Sequence, residues 1–452
     1  MAERQLLTGW GRTAPTAADV VQVRTDDDVA EALKAPPARG VLARGLARAY
    51  GDAAQNAGGQ VLDMVGLDRV HRLDLERGIA VVDAGVSLDD LLRTVVPLGW
   101  FIAVSPGTRY VTVGGAIASN VHGKNHHGDG SFCRHVRSFD LRLPGGEVRS
   151  VTPEHDPEVF WATAGGLGLT GVVTSATLQL LPIETSWMRV DTERTHDLED
   201  CMARMEAGDD GYRYSVAWVD CLARGATMGR SVLTRGDHAV VDDLPDEKQL
   251  GARRYGPRPL VSAPPWVPTR ALNRLSVAAF NETWYRRAPR HEVGGIESIA
   301  TFFHPLDMVR EWSRIYGRRG FLQYQFEVPF GAERTVQTAV ERLSARGCPS
   351  FLAVLKRFGP LEDDYLSFPQ PGWTLTLDIP AAMAGLDELL DQLDELVLAA
   401  GGRLYLAKDS RLRAQHVPVM YPRLDAWREV RDRLDPDRHL ISDLARRLDL
   451  LG

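Results

Sequence analysis

Residues 106–130 constrain the fold of this chain more than any other stretch. They read Pro-Gly-Thr-Arg-Tyr-Val-Thr-Val-Gly-Gly-Ala-Ile-Ala-Ser-Asn-Val-His-Gly-Lys-Asn-His-His-Gly-Asp-Gly. Two adjacent glycines, Gly114 and Gly115, follow a β-like stretch and precede a run of small side chains. Without a Cβ, a backbone can come close to a bulky anion. Ala116, Ala118 and Ser119 leave room beside it for a flat ligand. Asn120, His122, Lys124, Asn125, His126 and His127 then follow within a few positions. The run predicts a pyrophosphate cradle that leads directly into an active site.

The rest of the chain bounds this reading. At 452 residues it exceeds the usual size of a single core, so two domains are expected. A net charge of −7 gives no footprint for nucleic acid. Cys133, Cys201, Cys221 and Cys348 have neither zinc-site nor C-x-x-C spacing, so free thiols are expected. The first residues lack the apolar core of a signal peptide, and no apolar run is long enough to span a bilayer. Peripheral membrane contact stays open.

A first block, roughly 1–185, mixes helices and strands. Residues 17–35 read as a helix, and 40–43 as a strand entering the glycine-bearing loop Arg44–Asp52. Strands follow at 61–64 and 79–85, then a helix at 88–96. A hairpin is predicted at 136–151, a helix at 158–164 and a strand at 171–181. From about 186 to 404 the pattern alternates at 214–220, 320–329 and 373–380, with helices at 333–346 and 384–400. This predicts an α+β domain on one large antiparallel sheet. Residues 243–290 carry Pro245, Pro257, Pro259, Pro264, Pro265 and Pro268, with Arg253, Arg254, Trp266 and Trp284 among them. They read as a flexible surface loop, or as a lid or membrane-touching loop. The segment 423–448 is amphipathic, breaks at Asp435-Pro436, and is expected to pack back on the first block.

Gly166-Leu-Gly168-Leu-Thr-Gly171 satisfies G-x-G-x-x-G, but a helix precedes it and a strand follows. A dinucleotide site of the Rossmann kind needs the reverse order. The motif therefore reads as a turn feeding a strand. Together with Arg44–Asp52 and 106–123 it supplies a third loop whose backbone N–H groups can converge on a pyrophosphate.

With these loops, the chain resembles the vanillyl-alcohol-oxidase superfamily of FAD-binding flavoproteins. The resemblance extends to Leu7–Pro15, Arg44-Gly45, Tyr50–Asp52, Val111–Ala118, His122–His127, Phe160–Thr163, Phe321–Phe326 and Ala407–Arg411. Within that superfamily it resembles the oxidases acting on polyprenylphosphoryl-ribose, and the resemblance covers nearly the whole chain. It implies an α+β, two-domain fold: an FAD-binding domain at 1–185, completed by 405–452, and a substrate domain at 186–404. It places Arg44, Gly45, Tyr50, Gly51, Gly114, Gly115, Ser119, Asn120, His122, Val172 or Val173, and Tyr405 around FAD. Substrate residues would be Lys124, Trp218, Gln323, Gln325, Lys356 and Thr376. The neighbourhood Arg48-Ala49-Tyr50 lacks the histidine that attaches FAD in some relatives, so non-covalent FAD is expected.

The implied reaction is oxidation of a secondary sugar hydroxyl to a ketone, at C2 of the ribose in a polyprenylphosphoryl-β-D-ribose. It would be the first half of an epimerisation to arabinose completed by a short-chain reductase partner. The implied location is cytoplasmic or peripheral at the membrane. The alternatives are a soluble sugar or alditol oxidase using O2, and a flavin-binding protein without catalysis. Lys408 is the leading candidate base and His122 the next. No metal is expected at His122, His126 and His127, where ligand spacing is wrong. Thr374 and Thr376 stand where the resembled oxidases carry Asn and Cys, Phe303 where they carry Tyr, and Val216 where they carry Ser. The attack of nitroaromatic inhibitors on that Cys should accordingly be absent.

Overall fold

The computed structural model describes residues 2–269, 271–361 and 364–452. Three sheets organise the chain. The first joins β1 (Glu3–Leu7), β2 (Thr16–Gln22), β3 (Val41–Arg44) and β4 (Gln60–Asp63) in the order β1-β2-β4-β3. Strand β4 runs parallel to both β2 and β3. The second sheet holds β5 (Val70–Asp74), β6 (Ile79–Asp83), β7 (Trp100–Ile102), β8 (Val136–Arg142), β9 (Val148–Val151) and β10 (Val172–Pro182). Its pairs are antiparallel.

The third sheet has eight strands: β11 (Trp187–Thr195), β12 (Tyr214–Val219), β13 (Ser231–His238), β15 (His291–Ser298), β17 (Phe321–Pro329), β18 (Ala353–Phe358), β19 (Gly372–Pro380) and β20 (Arg403–Leu404). A two-residue parallel pair, β14 (Val261–Ser262) and β16 (Val309–Arg310), lies apart from it. The order of the large sheet is β15-β11-β13-β12-β18-β19-β17-β20, antiparallel throughout.

The large sheet has two unlike faces because its strands alternate. On β19, Trp373, Leu375, Leu377 and Ile379 are fully buried. Trp373 Nε1 donates to Glu333 Oε1 at 3.1 Å, at the start of the helix Glu333–Arg346. That helix brings Val336, Val340 and Leu343, and the helix Leu386–Ala399 brings Leu389, Leu393 and Val397, all buried. Each such side chain contributes about 1.5–3 kcal/mol by leaving water. Thr374, Thr376 and Asp378 occupy the alternate positions and face the other way.

Two sequence expectations are corrected. Residues 17–35 are not one helix: β2 comes first, and the helix spans Asp26–Lys34. Thr25 accepts from Asp28 N while the Asp28 side chain accepts from Thr25 N, a reciprocal cap that fixes the start. The β-branched run before it lies between β1 and β4. The proline-rich segment is not loop throughout, since it carries a 14-residue helix, Arg274–Arg287, capped by Asn273. Six prolines precede Asn273 and Pro289 follows the helix, so none interrupts it. Arg270, within the same segment, lies outside the described residues.

The C-terminal segment returns to the first sheet. Val41 N donates to His439 O and Ile441 N to Val41 O, which adds a strand-like edge beside β3. Trp427 Nε1 donates to Ala162 O at 2.9 Å.

Candidate active site

A cavity of about 730 Å³ runs between the large sheet and the loops of the first block. One end is backbone. Gly45 lies against Thr112, and a Cβ there would sit 2.2 Å from Thr112 Oγ1. Leu167 N donates to Ala118 O and Gly165 N to Ile117 O, which pins the turn at 165–168 to the helix Val113–Ala118. The three glycine-bearing loops therefore meet. The turn at 165–168 follows the helix Pro157–Thr163 and feeds β10, the reverse of a Rossmann order. Gly114 and Gly115 lie inside a short helix capped by Thr112, not behind a strand.

Strain marks this end. Ala47 (φ +56°) and Leu167 (φ +57°) both adopt the left-handed region and both line the cavity. Among the described residues, the N–H groups of Leu46, Ala47, Arg48 and Ala49 have no hydrogen-bond partner. Such a nest of N–H groups suits a pyrophosphate. Beyond it, Ala118, Val121, Leu167 and Tyr405 offer apolar or flat surfaces, and Tyr405 OH donates to Ser119 O at 2.8 Å. These features fit an FAD: the loop would hold its pyrophosphate, and Ala118, Val121, Leu167 and Tyr405 would hold its flat ring system.

The other end is side chain. Antiparallel register sets Val232, Trp218, Val354, Thr376 and Gln325 in one row across five strands. Lys356 pairs with Thr374, and Gln323 with Asp378. Gln325 Nε2 donates to His122 Nε2 at 3.0 Å and to Thr374 Oγ1 at 3.2 Å. Thr374 Oγ1 in turn donates to Phe326 O at 2.9 Å. Thr374 therefore steers Gln325 onto His122. Burial, then Lys356, drives the His122 pKa well down, so its ring is neutral.

Three lysines reach this end. Lys124 Nζ donates to Phe302 O at 2.5 Å and lies 4.1 Å from the Phe302 ring centroid. Lys408 Nζ sits 4.0 Å over the Tyr50 ring. Burial is the main cause that lowers Lys124 to about 8, Lys356 to about 7 and Lys408 to about 8. Lys408 does not pair with its neighbour Asp409. Asp409 Oδ1 accepts from Arg411 N and Leu412 N, and Asp409 Oδ2 pairs with Arg447 at 2.8 Å.

Arg44, Gly45, Tyr50, Gly115, Ser119, His122, Tyr405, Lys124, Trp218, Gln323, Gln325, Lys356, Thr376 and Lys408 line this one cavity. Gly51, Gly114, Asn120 and Val172 lie behind its wall. Gly114 packs on Ala84, Asn120 Nδ2 donates to Ser367 Oγ, and Val172 is buried in the core beside Val41 and Leu62. The Arg44 guanidinium is committed to Ala54 O and Thr8 O. His126 bonds Gly359 N and Ser131 Oγ, and His127 bonds Tyr212 O, so these histidines diverge from His122. Phe303 packs among Phe101, Tyr214, His238 and Phe302 at the cavity wall.

Sequence reasoning passed over two groups. Asp378 is fully buried behind Gln323, whose Nε2 donates to Asp378 Oδ1 at 2.6 Å. Burial pushes its pKa up to about 7. Its signal was its position, two after Thr376 on the same strand face. Asp307 accepts from Arg109 N and Thr108 Oγ1, while Arg109 Nε donates to Asp89 Oδ1 at 2.6 Å. This knot holds the turn at 105–112 against the cavity. It joins residues some 200 positions apart, beyond the reach of local pattern.

Gly51 shows how tightly the loops close. A Cβ there would lie 1.9 Å from Asp409 O, one residue from Lys408. Gly51→Ala is expected to destabilise the protein by about 1–3 kcal/mol. Denaturant unfolding checks this, and an unchanged midpoint would contradict the close approach.

Comparison with known proteins agrees with this geometry. The family described as FAD binding domain matches residues 17–152, and that described as D-arabinono-1,4-lactone oxidase matches residues 380–448. The site is that of an FAD-dependent oxidoreductase. L-gulono-1,4-lactone dehydrogenase of Mycobacterium tuberculosis is 24% identical over 96% of each chain. Decaprenylphosphoryl-beta-D-ribose oxidase of Mycolicibacterium smegmatis is 44% identical over 98% of this chain and 97% of its own, and this chain belongs to that family.

Proposed function

We propose that this protein oxidises the C2 hydroxyl of the ribose in a polyprenylphosphoryl-β-D-ribose to a ketone. Bound FAD supplies the hydride acceptor. Lys408 takes the hydroxyl proton as the hydride leaves C2, so the C–H and O–H bonds break and a C=O bond forms. His122 stays neutral and anchors Gln325. Gln323 and Gln325, two apart on one strand face, bond the sugar hydroxyls. Lys356 and Lys124 meet the phosphate, whose negative charge favours their protonated forms.

The observation that carries this reading is the set of three half-buried lysines in one cavity with the flavin end. A neutral alditol would leave Lys124 and Lys356 without an anion, which counts against the O2-using sugar oxidase. A short-chain reductase would then reduce the keto product. Contact with a membrane surface brings the lipid-linked substrate within reach, and no helix among the described residues is long and apolar enough to cross one.

Anaerobic bleaching of the flavin tests the reading. A short-chain polyprenylphosphoryl-ribose should bleach it, whereas ribose 5-phosphate and simple alditols should not. Bleaching by an alditol alone would move the assignment to the soluble oxidase. We further infer that FAD is held without a covalent bond, because His122 is the sole histidine among the described cavity-lining residues and it is held by Gln325. Acid or detergent denaturation should release all the yellow colour. Colour that stays with the polypeptide would refute this.

A further inference from the structure

We propose that the surface formed by residues 250–290 docks on an anionic lipid bilayer and sets the mouth of the cavity against it. The proposal gains its purpose from the lipid-linked substrate above, but its support is separate. In a chain of net charge −7, the described residues of this segment include seven arginines and one acid, Glu282. Glu282 is already paired with Arg230 and Arg286. The same segment exposes large apolar side chains: Leu260 is 72% exposed, Trp266 76% and Leu275 82%. On the helix Arg274–Arg287 only Val277 and Asn281 are buried, so most of a 14-residue helix faces outward.

The segment is continuous with the cavity. Pro259 and Trp284, one from each arm, are in its wall beside Val309, Arg310 and Trp312. Pairing of β14 with β16 fixes the first arm there, and Phe280 packs edge-on to Phe351 at 5.6 Å to fix the second. Guanidinium groups interleaved with tryptophan and leucine suit a headgroup layer, with cations on phosphates and apolar side chains below them. A nucleic acid would match the arginines but give Leu260 and Leu275 nothing to enter.

Sedimentation of the FAD-loaded protein with vesicles tests the proposal. Vesicles of phosphatidylcholine mixed with phosphatidylglycerol should bind it. Vesicles of phosphatidylcholine alone should not, and high salt should release it. Two double variants, Arg286→Glu with Arg287→Glu and Trp266→Ser with Leu275→Ser, should each weaken binding by about tenfold or more. Both should keep wild-type flavin bleaching by a water-soluble, short-chain substrate. Equal binding to both kinds of vesicle, binding to neither, or variants that bind like wild type would overturn the proposal. So would tight binding to nucleic acid with none to vesicles. If a variant fails to load FAD, the lipid and salt dependence of the wild type still decides. Vesicle binding intact with no bleaching by any ribose substrate would sink the proposed function and leave the docking surface standing.

Discussion

Replacing Lys408 with Met should slow flavin reduction by substrate about 10²- to 10⁴-fold, the usual worth of a positioned general base. The FAD content should not change. Met keeps the apolar stem over the Tyr50 ring, where Lys408 Nζ now sits at 4.0 Å, and removes only the amine. Because Asp409 is held by Arg411 N, Leu412 N and Arg447, the substitution breaks no ion pair between neighbours. Stopped-flow bleaching measures the rate, and flavin absorbance after desalting measures the content. A rate within threefold of wild type, an order-of-magnitude bound well below the expected loss, would remove Lys408 from the chemistry.

The pH dependence should show the same group. A lysine accepts a proton only as the free amine. Burial lowers Lys408 to about 8, so the amine is mostly protonated below that pH and free above it. The reduction rate should therefore rise about tenfold per pH unit below about 7 and level off above about 8. Lys356 and Lys124 act in the opposite sense. They serve an anion as ammonium groups, and burial lowers them to about 7 and about 8. Substrate affinity should accordingly weaken at high pH, giving kcat/KM two limbs. Asp378 faces the same region with a carboxyl raised to about 7, and Lys408 is the cation acting on it. Lys408→Met should lose the acid limb and keep the alkaline one. An acid limb that survives in that variant would assign it to another group.

Much of this site was legible because strand period and side-chain chemistry coincide. Gln323 and Gln325 two apart on β17, and Thr374 and Thr376 two apart on β19, could each be placed on one face without knowing the partner strand. The reversed order around Gly166–Gly171 was enough to set aside the Rossmann reading. What failed was local competition. Ala18, Val20 and Val21 fit a helix face as well as a strand, and parallel pairing with β4 decided the matter. The helix Arg274–Arg287 was hidden in a segment whose prolines lie on either side of it. Asp307, Arg109 and Asp89 meet only after the chain has folded back, so no window of sequence contains them together.

The clamp at Arg447 bears on when the site comes into being. Its guanidinium bridges Asp52, just past the first glycine loop, and Asp409, next to Lys408, at 2.8 Å each. A ribosome that has delivered the chain only as far as Leu440 has already supplied the phosphate loop, the large sheet and Lys408. The tie between the two loops is still missing. Ordered synthesis thus places the fastening after everything it fastens, and the helix Asp443–Arg447 is what closes the cofactor's chamber.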